Sequence, residues 1–98
     1  MLTKTYILET LQEKKELLTK YGVKRIGLFG SYIKNKQNKN SDIDILIEFF
    51  TNQETFDNLM TIYNILENTF TNQKIEIVTK NGLSKYIGSY ILKETEYA

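Results

Sequence analysis

Residues 41–49, Ser-Asp-Ile-Asp-Ile-Leu-Ile-Glu-Phe, constrain this chain more than any other stretch. A run so rich in isoleucine reads as a β-strand. Successive strand side chains point to opposite faces, so Asp42 and Asp44 share a face about 7 Å apart along the backbone. Two ionised carboxylates on an otherwise apolar strand repel each other and resist burial. A divalent cation between them relieves both penalties. An oxygen-only donor set suits Mg²⁺, which takes one or two carboxylates and completes its shell with water and substrate phosphates. The plainer reading makes Asp42 a strand-end cap and Asp44 a residue on a solvated sheet face. The preceding residues favour the functional reading: Ile26 to Phe29 form a second apolar strand that ends at Gly30-Ser31, ten residues before Asp42. At residue frequencies of about 5–7%, a Gly-Ser-x10-Asp-x-Asp pattern arises by chance in about one 100-residue chain per thousand.

The rest of the composition narrows the chemistry. Cysteine and histidine are both absent from the 98 residues. Disulfides, thiol nucleophiles, imidazole bases and the usual zinc ligands are therefore excluded, leaving carboxylates, lysine, tyrosine and hydroxyls to do any acid–base or metal work. The net charge of +1 gives no global basic field of the kind a nucleic-acid coat protein carries, and direct nucleic-acid binding is not expected. No run reaches membrane-span length and no signal core is evident, so a cytoplasmic location without membrane contact is expected.

Taken in order, residues 3–20 read as a helix with Ile7, Leu8, Leu11, Leu17 and Leu18 along one stripe and Gly22 as its C-cap. A strand over 24–29 leads to Gly30, which permits a turn that a Cβ would hinder. Ser31 is expected to open a short helix over 31–36, its hydroxyl and first-turn N–H groups forming an anion cradle. Lys34, one helical turn on, is placed to reach a triphosphate, while Lys36 and Lys39 read as solvated. After the acidic strand, Thr51-Asn52-Gln53-Glu54 has a capping-box pattern. The following helix aligns Phe56, Leu59, Met60, Tyr63, Leu66 and Phe70 as a core face. Residues 74–78 form a third strand with Ile75 and Ile77 on one face and Glu76, a third carboxylate, on the other. In a short central strand such an acid needs a basic group or a metal facing it, and a solvated edge position is the alternative. Ser84 caps a last helix ending near Glu94, with Leu83, Ile87, Tyr90 and Ile91 inward and Gly88 at a close packing contact. The tyrosines of this segment read as ordinary packing residues. The sum is one α+β domain over 1–98, a small mixed sheet with helices on one side.

These residues resemble a known pattern. Gly30-Ser31, ten residues, Asp42-x-Asp44 and a later acidic strand position are similar to the nucleotidyltransferase fold of the DNA polymerase-β superfamily. The phrase IGLFGSY…NSDIDILIEF, together with KIEIVTKNGLSKYI, looks like the minimal nucleotidyltransferase antitoxins of HEPN/MNT toxin–antitoxin systems, over about residues 20–95. The resemblance implies that Gly30 and Ser31, with Lys34, hold the triphosphate of ATP. It implies that Asp42, Asp44 and Glu76 are the catalytic carboxylates and bind two Mg²⁺ ions. It also implies a partner, a HEPN-domain ribonuclease toxin that receives AMP on a tyrosine hydroxyl, and an assembly with that toxin or with further copies of the chain. Relatives commonly carry Arg just after the Gly-Ser, where this chain has Tyr32, Ile33 and Lys34; Asn35 stands for a common Gly, and Glu76 for a common Asp.

Two rival functions follow different chemistry. A non-catalytic antitoxin would neutralise its toxin by binding alone, through Tyr86, Tyr90 and Tyr97 or through Phe49 and Phe50. An enzyme adenylylating a small molecule such as an aminoglycoside would need a further domain for the acceptor, and 98 residues leave no room for one.

Overall fold

The computed structural model describes residues 2–98. A first helix, α1 (Lys4–Lys20), begins at Thr3, whose hydroxyl accepts from the Tyr6 N–H, and the chain leaves it through Gly22 at φ +90°. Ile7, Leu11 and Leu18 are fully buried on its inner stripe, while Leu17 is partly exposed. Strand β1 (Val23–Phe29) follows, then a single 3₁₀ turn over Gly30–Tyr32. Strand β2 (Ile43–Phe49), helix α2 (Phe56–Thr69), strand β3 (Ile75–Thr79), a 3₁₀ turn over Lys80–Gly82, helix α3 (Lys85–Glu94) and a two-residue strand β4 (Glu96–Tyr97) complete the chain.

The four strands lie in the order β3-β2-β1-β4. β1 is antiparallel to both β2 and β4, and β2 is parallel to β3. Parallel neighbours need a crossover, and α2 supplies it. The fold is α+β, a mixed sheet with three helices. The period of two sorts the side chains of β2: Ile43, Ile45, Ile47 and Phe49 enter the core with Ile7, Leu11, Leu18, Ile62 and Leu66, while Asp44, Leu46 and Glu48 take the other face. The core therefore lies between the sheet and α1 with α2, and the acidic face is left for the site. No helix among the described residues is long and apolar enough to cross a membrane.

Several sequence expectations are corrected. The cap of α2 is Thr55, whose hydroxyl accepts from the Asn58 N–H at 3.1 Å, and not the Thr51 pattern, because Asn52 turns the chain with φ +67° before the helix begins. The expected core face of α2 splits in two. Leu66 and Phe70 are buried, as is Ile62, which the expectation omitted, but Phe56 is 75% and Met60 44% exposed. At 100° per residue the Phe56–Met60–Tyr63 stripe is rotated about a quarter turn from the Leu59–Ile62–Leu66 stripe; the sheet buries the second and meets the first only at Tyr63, whose hydroxyl accepts from the Ile77 N–H at 3.3 Å. Phe56→Ser is accordingly expected to change unfolding free energy by no more than about 0.5 kcal/mol, read by urea denaturation. In α3, Ser84 is the cap and Gly88 packs closely, a Cβ there meeting Leu83 Cβ at 3.0 Å. Ile87 and Tyr90, expected inward, are 62% and 76% exposed, and Tyr86 is 88% exposed. Gly88 rather than a large side chain is the buried position of the helix, because Leu83, just before the helix, packs against it. Tyr97 does pack, its ring 3.7 Å from the Arg25 guanidinium.

Candidate active site

The site begins with strand pairing. Asp44 on β2 is the register partner of Phe29 on β1 and of Glu76 on β3, so both acids emerge on the same sheet face. The expectation of a central third strand fails: β3 is the sheet's edge, and the Glu76 side chain is half exposed. Its edge position still sets it beside Asp44, its register partner on β2. Asp42, just before β2, adds its charge to the same neighbourhood. Lys74 spans the opening, 3.9 Å from the Asp42 carboxylate and 3.7 Å from that of Glu76.

The turn after β1 closes the site from the other side. Gly30 adopts φ +79°, and a Cβ built there lies 3.0 Å from Asp44 Cγ and nearer still to its Oδ2. Glycine is required twice over, for the backbone angle and for the space. Ser31 follows in the 3₁₀ turn, and the buried Tyr32 anchors that turn in the core. The expected helix over 31–36 is absent: after Tyr32 the chain continues as turns, with the Gly30 carbonyl accepting from the Ile33 and Lys34 N–H groups and the Ser31 carbonyl from Lys36 N–H. A polar segment with Asn35 at φ +58° has nothing to hold a longer helix.

Lys34 is not free in this arrangement. Its ammonium lies 3.4 Å from Glu94 Oε2, and the Gly30 N–H donates to Glu94 Oε1 at 3.2 Å. Glu94, at the end of α3, is thus a fourth acid at the site, and sequence reading missed it together with Lys74. For Lys74 a signal existed, since it stands two residues before Glu76 and so on the same strand face. For Glu94 none did.

Electrostatics follow from this crowding. Burial, then the Glu76 charge and hydrogen bond, then the charges of Asp42 and Glu94 push the Asp44 carboxyl up to about 6. The Lys74 ammonium beside Asp42 and Glu76 offsets part of the negative charge. Among the described residues no group of three or more acidic, His or Cys side chains forms a finished metal cage. The donor set is nevertheless all oxygen and suits Mg²⁺ with its water- and phosphate-completed shell. A cavity of about 590 Å³ lies at the far end of β2 around Glu48, Lys24 and Lys80. None of Asp42, Asp44, Glu76 and Glu94 lines it.

The raised Asp44 value fixes a pH dependence. Between its usual value of 3.8 and about 6 the folded protein binds a proton that the unfolded chain releases. This group's stabilisation is complete below about 4 and is lost as pH rises to about 6. In chelator, urea midpoints are expected to fall across that window relative to an Asp44→Asn control. Added Mg²⁺ should reverse the loss above pH 6.

A mixed sheet with a Gly-Ser turn laid against a carboxylate-bearing strand defines the class as a nucleotidyltransferase domain. The family described as Polymerase beta, Nucleotidyltransferase matches residues 12–97, and the chain belongs to it. It is a nucleotidyltransferase. A Methanocaldococcus jannaschii chain that carries the name protein adenylyltransferase is 43% identical over 86 residues, covering 85% of this chain and 95% of that one. The protein adenylyltransferase MntA of Thermococcus cleftensis is 33% identical over 86 residues, 86% of this chain and 83% of that one. Among solved structures, a minimal nucleotidyltransferase superposes with a TM-score of 0.72 and 26% identity, covering 91% of this chain and 93% of that one. A toxin–antitoxin structure with AMP-PNP shares the fold at a TM-score of 0.57 and 20% identity, covering 98% of this chain and 72% of that one.

Proposed function

We propose that this chain is the adenylylating antitoxin of a toxin–antitoxin pair, transferring AMP from ATP to a tyrosine hydroxyl of a HEPN ribonuclease toxin in the cytoplasm. The observation that carries the reading is the Asp44–Glu76 pair, in register on adjacent strands, with Asp42 beside it and Gly30 against it. Relatives that carry the name protein adenylyltransferase support a protein acceptor, and toxin–antitoxin structures of the same fold support the toxin as that protein. Two Mg²⁺ ions held by Asp42, Asp44 and Glu76 would neutralise the triphosphate and stabilise the attacking and leaving oxygens of an in-line displacement. The chain's own groups do the rest. Gly30 N–H, Ser31 and Lys34 bind phosphate oxygens, with Lys34 supplying charge but not the two-pronged grip of Arg. A Glu76 carboxylate oxygen takes the proton of the tyrosine hydroxyl. The tyrosine oxygen bonds to the α-phosphorus, the bond from the α-phosphorus to the α–β bridging oxygen breaks, and pyrophosphate leaves.

Label from α-labelled ATP is expected on the toxin when both proteins are mixed with Mg²⁺, and not when chelator replaces it. Label appearing equally in chelator would remove the metal from the mechanism.

Neutralisation by binding alone is the second reading, favoured by one observation: Tyr86, Ile87 and Tyr90 stand exposed along α3 instead of packing. Cells protected from the toxin by the Asp42→Asn/Asp44→Asn double variant would select it over catalysis.

A further inference from the structure

We propose that Glu94 is a built-in competitor for the nucleotide triphosphate, holding the donors that phosphate needs and admitting nucleotide only when cations accompany it. This rests on the adenylyltransfer reading of the site. A backbone N–H and an ammonium beside it are a pair of donors for phosphate oxygens. Both are already engaged: Gly30 N–H donates to Glu94 Oε1 at 3.2 Å, and Lys34 Nζ sits 3.4 Å from Glu94 Oε2. The two oxygens of one carboxylate thus occupy the two donors, as two oxygens of a phosphate would.

The fold keeps Glu94 there. Thr95, the next residue, is buried and donates its N–H to the Ile91 carbonyl at 3.0 Å. Beyond it, Glu96 and Tyr97 pair with Leu28 and Gly27 of β1, the strand that runs into Gly30. The end of α3 is therefore tied to the strand that carries the turn, and the Glu94 side chain is less exposed than that of Lys34, at 23% against 55%. A triphosphate that takes the donors displaces the carboxylate but leaves its charge close by, since Asp44 feels that charge too. Four acids then face an incoming polyanion. Cations lower the repulsion, so nucleotide without metal is excluded more strictly than loss of metal–phosphate contacts alone would cause.

Glu94→Gln keeps the shape and the acceptor for Gly30 N–H while removing the charge. Its KM for ATP in toxin adenylylation is expected to fall about three- to tenfold, with kcat within about twofold of the parent. Binding of ATP in EDTA, followed by calorimetry, should become measurable. Lys34→Met should raise KM more in the Glu94→Gln background than in the parent, because Lys34 is then free to hold phosphate. A KM that is unchanged or higher overturns the proposal, and so does a collapsed melting temperature in Glu94→Gln, which would assign the residue to structure alone. If the parent transfers AMP in an Asp44-dependent way and Glu94→Gln behaves identically, only the competitor role fails. If Asp44→Asn transfers as well as the parent, the underlying reading fails with it.

Discussion

Replacing Asp44 with Asn lowers AMP transfer by about a thousandfold or more while raising the stability of the metal-free protein. The two effects share one cause. Asp44 is half-buried, and that burial, with the charges of Glu76, Asp42 and Glu94 added to it, holds its carboxyl at about 6. At pH 8 without metal this repulsion is offset only by Lys74 beside Asp42 and Glu76 and by Lys34 beside Glu94. Asparagine has the same shape, so it still fits against Gly30, and its amide can donate to the Glu76 carboxylate beside it. What it lacks is the charge that makes the site attractive to a cation. Melting in EDTA at pH 8 should therefore rise by about 2–6 °C, and the difference should vanish near pH 4, where both forms are neutral at this position. Transfer is followed with α-labelled ATP. Activity within tenfold of the parent, or a melting temperature below it, would break the link between carboxylate crowding and function.

Which parts of this site were legible in the sequence depends on how far apart the contributing residues lie along the chain. Asp42 and Asp44 were readable because strand alternation is a rigid local rule. Gly30 was readable because a glycine closing an apolar strand has few structural reasons to be there. Glu76 was readable in part: its face follows from Ile75 and Ile77, but strand order is a tertiary property, and the central position expected for β3 gave way to an edge. Glu94 lay beyond reach, since its approach to Gly30 depends on β4, a two-residue strand too short to leave a periodic signal. The α2 error has a different origin. Phe56 and Met60 lie beside the buried stripe on an apolar arc wider than the sheet covers, and periodicity cannot say which half of a wide arc faces inward. The Thr51 pattern likewise lost to Thr55 because both offer a capping hydroxyl and only the path of the preceding loop decides between them.

Gly30→Ala should destabilise the protein by about 2–4 kcal/mol and reduce transfer by about a hundredfold. Two separate penalties add. The backbone angle of +79° is one that alanine adopts only with strain, and the new methyl group lands on the Asp44 carboxyl. Neither partner has room to yield cheaply: Asp44 is fixed in register between Phe29 and Glu76, and the turn is anchored by buried Tyr32. The methyl therefore pushes the carboxylate off the position it shares with Glu76, and a displacement of about 1 Å is enough to cost two orders of magnitude in a positioning mechanism. A double-mutant cycle separates the terms. In an Asp44→Ala background the carboxyl is gone, so Gly30→Ala should cost only the backbone strain, about 1–2 kcal/mol. In an Asp44→Asn background, where the obstructing group keeps its size, the full cost should remain. Equal costs in the parent and in Asp44→Ala would mean that Gly30 serves the turn alone and that its closeness to Asp44 carries no energetic weight.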